Sequence, residues 1–328
     1  MPLPESLTRR LRLPLIAAPM FRVSGPELVL AACRNGVIGA FPTANCRDLA
    51  ELDAWLTRFA AELQPGDAPF CPNLIMRRSS LRDELACLLR HRVELVITSV
   101  GSPQPVVQAL HDIGCRVLAD VASVRHAEKA LHAGADGLVL LSAGAGGQTG
   151  WANGFALARA VRAFYDGPLV MAGGMADGHA LWAARALGCD LAYMGTKFIA
   201  TQESLASPAY QHMLVGSTLD DVMLTRAFTG LEANMLRPSI IASGLDPEQL
   251  PNDMQKERAA ELYGGGAANA ATNAATNAAT SAGPKRWVDI WSAGHSVGGV
   301  TSVPSVAELV QATKREYHAA RAASALLG

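Results

Sequence analysis

The sequence predicts a single (β/α)8 barrel with a mostly helical C-terminal cap, and three observations lead there. Short apolar runs alternate with helix-length segments from residue 14 to about residue 200. The runs are apolar without alternation, so their strands are covered on both faces, as parallel βα architecture requires. The count reaches eight if the last helix begins near Glu203, and eight units close a barrel without the switch point of an open doubly wound sheet. The open sheet is the alternative.

Taken in order, Pro14 to Ala18 reads as the first strand, followed by a helix from Pro26 to Arg34. Val37 to Ala40 is the second strand, and Leu49 to Leu63 a helix whose apolar positions recur at helical spacing. Strands at Phe70–Leu74, Leu95–Thr98, Arg116–Ala119 and Gly137–Leu141 follow, with helices near 80–90, 104–112 and 124–132. Helix 153–164, strand 168–171, helix 178–187 and strand 191–194 complete the alternation.

After residue 200 the rhythm changes. We expect a barrel over 1–203, a helical cap or lid over 204–262, a low-complexity loop over 263–284, and a segment over 285–328 whose final helix returns to the barrel. The loop carries Asn-Ala-Ala-Thr three times over 269–280, which offers almost nothing to bury and reads as flexible.

With 328 residues, half of them hydrophobic, the chain can bury one large core. A net charge of −1 and a pI near 6.7 point away from nucleic acid and anionic membranes, and towards an enzyme of small molecules. No run approaches the roughly 18 apolar residues of a membrane span, so we expect a cytoplasmic protein. The six cysteines never fall in a C-x-x-C spacing and read as buried reduced thiols, with neither a disulfide framework nor a metal site.

The chemistry concentrates where strands end in glycine. The sixth strand runs into Gly144, Gly146, Gly147 and Gly150, the seventh into Gly173-Gly174, and the eighth into Gly195-Thr196. Glycine lets a ligand approach the backbone, and peptide N–H groups then donate without a competing side chain. The loops after strands seven and eight are the usual phosphate site of this fold. The alternative is that these glycines only make tight turns.

These motifs, in this order and spacing, resemble the FMN-dependent nitronate monooxygenases and the related FMN-dependent enoyl and quinone reductases. The likeness rests on Ala17-Ala-Pro-Met20, Pro72-Asn73-Leu74, Gly134-Ala-Asp136, Ala145-Gly-Gly147, Ala172-Gly-Gly-Met-Ala-Asp-Gly178 and Met194-Gly-Thr-Lys-Phe-Ile-Ala-Thr201. It implies FMN, with the phosphate on Gly173, Gly174, Gly195 and Thr196. Ala18, Pro19, Met20 and Asn73 would lie near the flavin ring, and Gly146 and Gly147 would pass close to it. Lys197 would either neutralise phosphate charge or stand as a solvated lysine at a helix start.

One position departs from the family. The glycine loop after the sixth strand typically ends in a histidine that acts as the base, and here that position is Gln148. Glutamine cannot accept a proton near neutral pH. His295, in Ser292-Ala-Gly-His-Ser-Val-Gly298, is the candidate substitute, its alternative being a structural histidine. Trp151, beside the loop, would wall the substrate pocket or pack in the core. The resemblance thus implies an FMN oxidoreductase of alkyl nitronates or similar small anions, with O2 as oxidant. The alternatives are an NAD(P)H-dependent FMN reductase of quinones or activated enoyl double bonds, and a flavin-binding barrel without turnover.

Overall fold

The computed structural model describes residues 3–264 and 283–326, so the tetrapeptide repeat at 269–280 lies outside the described residues. After a short N-terminal helix α1 (Glu5–Thr8), the chain alternates strand and helix as the sequence implies. β1 (Leu15–Ala17), α2 (Pro26–Arg34), β2 (Ile38–Pro42), α3 (Leu49–Glu62), β3 (Phe70–Ile75), α4 (Leu81–Arg90) and β4 (Leu95–Ser99) form the first half. α5 (Gln104–Asp112), β5 (Arg116–Val121), α6 (Val124–His132) and β6 (Gly137–Leu141) follow. A two-residue strand β7 (Gly147–Gln148) leaves the barrel. α7 (Gly154–Arg162), β8 (Leu169–Ala172), α8 (Gly178–Ala186) and β9 (Leu191–Met194) then complete it.

Eight strands, β1 to β6 with β8 and β9, close a parallel barrel, and the seam is β1 on β9 with Ile16 opposite Tyr193. The pleat sorts the side chains. On β6, Leu138 and Leu140 pack outward against helices while Val139 and Leu141 point into the barrel with Ile16, Ile97 and Leu118. Polar caps start several helices. Asp48 accepts from the Glu51 N–H at 2.8 Å, and Asp177 from that of Ala180 at 2.8 Å.

The helix closing the ring corrects one expectation. No helix begins at Glu203. A short helix α9 (Thr196–Ile199) ends, the chain turns, and α10 (Pro208–Val215) starts within the cap. The gap beside β9 and β1 is filled instead by α13 (Val306–Ala325), whose Val306, Leu309, Val310 and Tyr317 pack with Leu15, Leu28, Leu181 and Ala192. Glu203 has a different task. Its carboxylate accepts from the N–H of Val306 at 2.9 Å, fixing the start of that distant helix.

Besides α10, the cap holds α11 (Arg237–Ala242), α12 (Lys256–Tyr263) and a hairpin of β10 (Val222–Thr225) with β11 (Ala233–Leu236). The hairpin is the element that a helical reading of this region overlooks. β11 also pairs with β7, placing Ala233 opposite Gln148 and Asn234 opposite Gly147. The cap and the loop after β6 are therefore hydrogen-bonded into one three-stranded sheet. No helix among the described residues is long and apolar enough to cross a membrane.

Candidate active site

A cavity of about 2160 Å3 opens at the C-terminal ends of the barrel strands, between them and the cap. That is about twice the upper end of the roughly 300–1,000 Å3 usual for a single small ligand. Ala18, Pro19, Met20, Asn73, Gly146, Gly147, Gln148, Gly173, Gly174, Gly195 and Thr196 all line it. Lys197 and His295 do not.

The loop after β1 is held by buried polar contacts. Ser24 Oγ accepts from the Met20 N–H at 2.9 Å and donates to the Ala18 carbonyl at 3.1 Å. Asn45 donates to the carbonyls of Met20 and Ser24 at 3.0 and 2.9 Å. The backbone of Ala18–Met20 is thereby presented to the cavity in one conformation. Asn73, on β3, is buried too, its amide donating to Ile97 and its oxygen accepting from Ser99 Oγ at 3.2 Å.

The glycine loop after β6 is pinned from the cap. Asn234 is buried and donates to the carbonyls of Ala143 and Ala145 at 2.8 and 2.7 Å. A side chain at Gly146 would stand 2.7 Å from the backbone nitrogen of Gly294, and one at Gly294 would stand 2.6 Å from the carbonyl oxygen of Gly144. Two backbones therefore touch directly. Gly147 has φ +67, and the exposed Gln148 that follows it takes part in β7.

Around the next two strand ends the glycines divide, for a Cβ at Gly173 would strike Ser142 Oγ and stand 2.8 Å from the Ala145 nitrogen, whereas Gly174 and Gly195 have room. Gly174 has φ +72, and no atom of the described residues lies within 4 Å of where its Cβ would be. At Gly195 a Cβ would make only ordinary contacts of 3.6 Å with Ala18 and Met20. Thr196 is buried, and its hydroxyl accepts from the Gly294 N–H at 2.9 Å.

Three expectations are corrected. The Lys197 ammonium is turned away from the cavity and donates to the Gly299 carbonyl. Burial holds its pKa below the usual lysine value, against the opposing fields of Glu316 and Asp177. His295 is exposed and does not line the cavity. Its peptide N–H donates to Gly144 at 3.0 Å and its ring Nδ1 lies 3.3 Å from where a Cβ on Gly144 would be, so it braces the glycine loop, in keeping with the structural alternative. Trp151 is 76% exposed and belongs neither to the cavity wall nor to the core.

Sequence reasoning missed Asp120, near the end of β5. It lines the cavity, its Oδ1 is buried with no hydrogen-bond partner among the described residues, and burial pushes its carboxyl up to about 7. The signal was an acidic residue inside the apolar run Leu118-Ala-Asp-Val121, lost by ending the strand at Ala119. Arg77, His126 and Lys129 also line the cavity, and the guanidinium and ammonium give part of its wall a positive character.

The nitronate monooxygenase family model matches residues 6–315, nearly the whole chain. The chain belongs to the nitronate monooxygenase family. Within it, a nitronate monooxygenase of Paraburkholderia phytofirmans is 28% identical, the match covering 71% of this chain and 76% of that protein. The "(3aS,4S,5R,7aS)-5-hydroxy-7a-methyl-1-oxo-octahydro-1H-indene-4-carboxyl-CoA dehydrogenase" of Rhodococcus jostii is also 28% identical, over 70% of this chain. The match spans 64% of the length of that dehydrogenase. Among solved structures, a nitroalkane oxidase from Streptomyces ansochromogenes superposes with a TM-score of 0.77 at 25% identity, covering 97% of this chain and 99% of that one. FabK from Thermotoga maritima gives 0.75 at 21% identity over 98% and 97% of the two chains, a likeness of fold.

Proposed function

We propose that this member of the nitronate monooxygenase family is an FMN-dependent oxidoreductase that oxidises alkyl nitronates or similar small anions with O2. The observation that carries the cofactor reading is Gly174. It follows the seventh barrel strand, lines the cavity, and has no neighbour among the described residues at its Cβ position, in a backbone conformation suited to glycine. In this fold that position takes a phosphate. The orphaned oxygen of Asp120 on the same cavity fits a ligand that brings its own polar atoms.

The backbones of Gly173, Gly174, Gly195 and Thr196 would hold the phosphate. Ala18, Pro19, Met20 and Asn73 would border the ring, with Gly146 and Gly147 as the opposite wall. Bound FMN supplies the redox chemistry, accepting electrons from the substrate and passing them to oxygen. The chain's own part is to bind, orient and exclude water. Gln148 can hydrogen-bond an anionic substrate but cannot remove its proton, so the reading favours the preformed nitronate over the neutral nitroalkane. Arg77 and Lys129 draw anions to the mouth.

A second reading has its own support. The cavity is large, its wall basic, and curated relatives act on a carboxyl-CoA, so a bulkier anionic thioester fits as substrate. Anaerobic mixing of the flavin-loaded protein with ethyl nitronate, an acyl-CoA, NADH and NADPH separates the readings by the bleaching of the flavin band. Bleaching by nitronate with recovery in air supports the first. Bleaching by acyl-CoA supports the second, bleaching by a nicotinamide alone supports the reductase, and none at all supports flavin binding without turnover. Gln148→His should then raise the rate on neutral nitroalkane by up to about 10²–10⁴-fold, through a pKa near that of histidine.

A further inference from the structure

In the reading above Asp120 enters only as an orphaned oxygen, with no partner and no protonation state assigned to it. On β5 the pleat sends Ala119 and Val121 outward into the helical layer and Leu118 into the barrel, so Asp120 points inward. It lines the cavity, and its Oδ1 is buried without a partner among the described residues. Unpartnered buried carboxyl oxygens are rare in folded chains, and each calls for a group that the protein itself does not supply.

The charged and titratable groups around it give no compensation. Cys71 on β3 and Tyr193 on β9 face it from across the barrel, and burial raises both well above their ordinary values, leaving them neutral. Arg22, Arg77, His126 and Lys129 line the same cavity from the loops after β1 and β3 and from α6, but the carboxyl's shift has burial as its cause. An aromatic ring laid over the group would remove its remaining water and disfavour the charged form further. A flavin ring also presents several acceptor atoms along its polar edge against one N–H donor.

We propose that Asp120 is a contact of the bound FMN ring, keeps its proton there, and donates its O–H to an acceptor atom of the ring, so that flavin binding takes up a proton from solvent at neutral pH. The inference rests on the FMN reading above. No bond other than O–H is made or broken, and no electron moves. Since burial alone places the free carboxyl at about 7, part of the flavin-free protein is ionised at pH 7 and must regain the proton on binding.

The test is the dissociation constant of FMN for the full-length, flavin-free protein from pH 6 to pH 9, read by flavin fluorescence, for wild type and Asp120→Asn. Wild type should weaken by about tenfold per pH unit above pH 7, while Asp120→Asn, which donates without titrating, stays flat to about twofold. The FMN phosphate loses its second proton at about pH 6, at the lower edge of this window and equally for both proteins, so the comparison is read above pH 7. Calorimetry of wild type in two buffers of different ionisation enthalpy should show about half a proton taken up at pH 7 and nearly one at pH 8, a measurement that needs no variant. Parallel pH profiles, or binding without proton uptake, overturn the role of Asp120 and leave the FMN reading standing. Failure of wild type to bind FMN at any of these pH values overturns both.

Discussion

The glycines at the mouth of the barrel form two sets with different neighbours. At Gly146 and Gly294 an added Cβ would strike backbone at 2.7 and 2.6 Å, because the loop after β6 and the segment before the 295–299 turn lie backbone against backbone. Gly174 has a left-handed φ, +72, that neither Gly146 nor Gly294 has, and a Cβ there would meet no atom of the described residues within 4 Å. The first set builds the wall of the cavity, and the second leaves room for whatever occupies it. Residue type alone does not separate them; the neighbour does.

The largest effect is expected where protein meets protein. Gly146→Ala drives a methyl into backbone that cannot rotate away, and should cost about 3 kcal/mol, seen as a fall in the denaturant midpoint whether or not flavin is present. An unchanged midpoint would place Gly146 with the ligand-facing set. Asn234→Ala strips one buried and one half-buried carbonyl of their donor and should cost about 2 kcal/mol, loosening the same loop without adding bulk. If stability held while the loop stayed as protected from hydrogen exchange as before, the cap would not be what pins it.

A smaller effect sharpens the view of the cavity floor. In the folded flavin-free protein Asp120 keeps a proton to about pH 7 that the unfolded chain releases near pH 4. Its contribution is thus present below pH 4 and lost as pH rises to 7. Wild-type stability should fall relative to Asp120→Asn by about 1.4 kcal/mol per pH unit in that window, as read from unfolding curves at pH 5 and pH 6. Equal slopes for the two proteins would mean that the carboxyl is solvated after all.

Most of the barrel was legible because its signal is local. Apolar runs and their breaks lie within each element, and Gly137–Leu141 and Leu191–Met194 stand where the runs placed them. The eighth helix was not, since α13 is brought to β9 and β1 by contacts over a hundred residues apart, with Glu203 serving as its distant cap. The β10–β11 hairpin draws part of its order from pairing with β7, and so escaped a reading of its own segment. Within the site, the glycine motifs announced the cavity-lining backbone. The orientations of Lys197 and His295 depend on which carbonyl each segment meets, which spacing does not encode. Asp120 was hidden by its setting in an apolar strand.

The account turns on Gly174 facing a ligand, and Gly114 supplies its control. Gly114 also has a left-handed φ, +81, with no atom of the described residues within 4 Å of its Cβ position, but it follows α5 and does not line the cavity. A valine at either site carries a similar backbone strain, at least about 1–2 kcal/mol. The deciding measurement is the flavin content of purified Gly174→Val and Gly114→Val, alongside their melting temperatures. The account predicts two folded proteins of similar stability, with Gly114→Val holding one FMN per chain and Gly174→Val colourless. Stoichiometric FMN in folded Gly174→Val would contradict it.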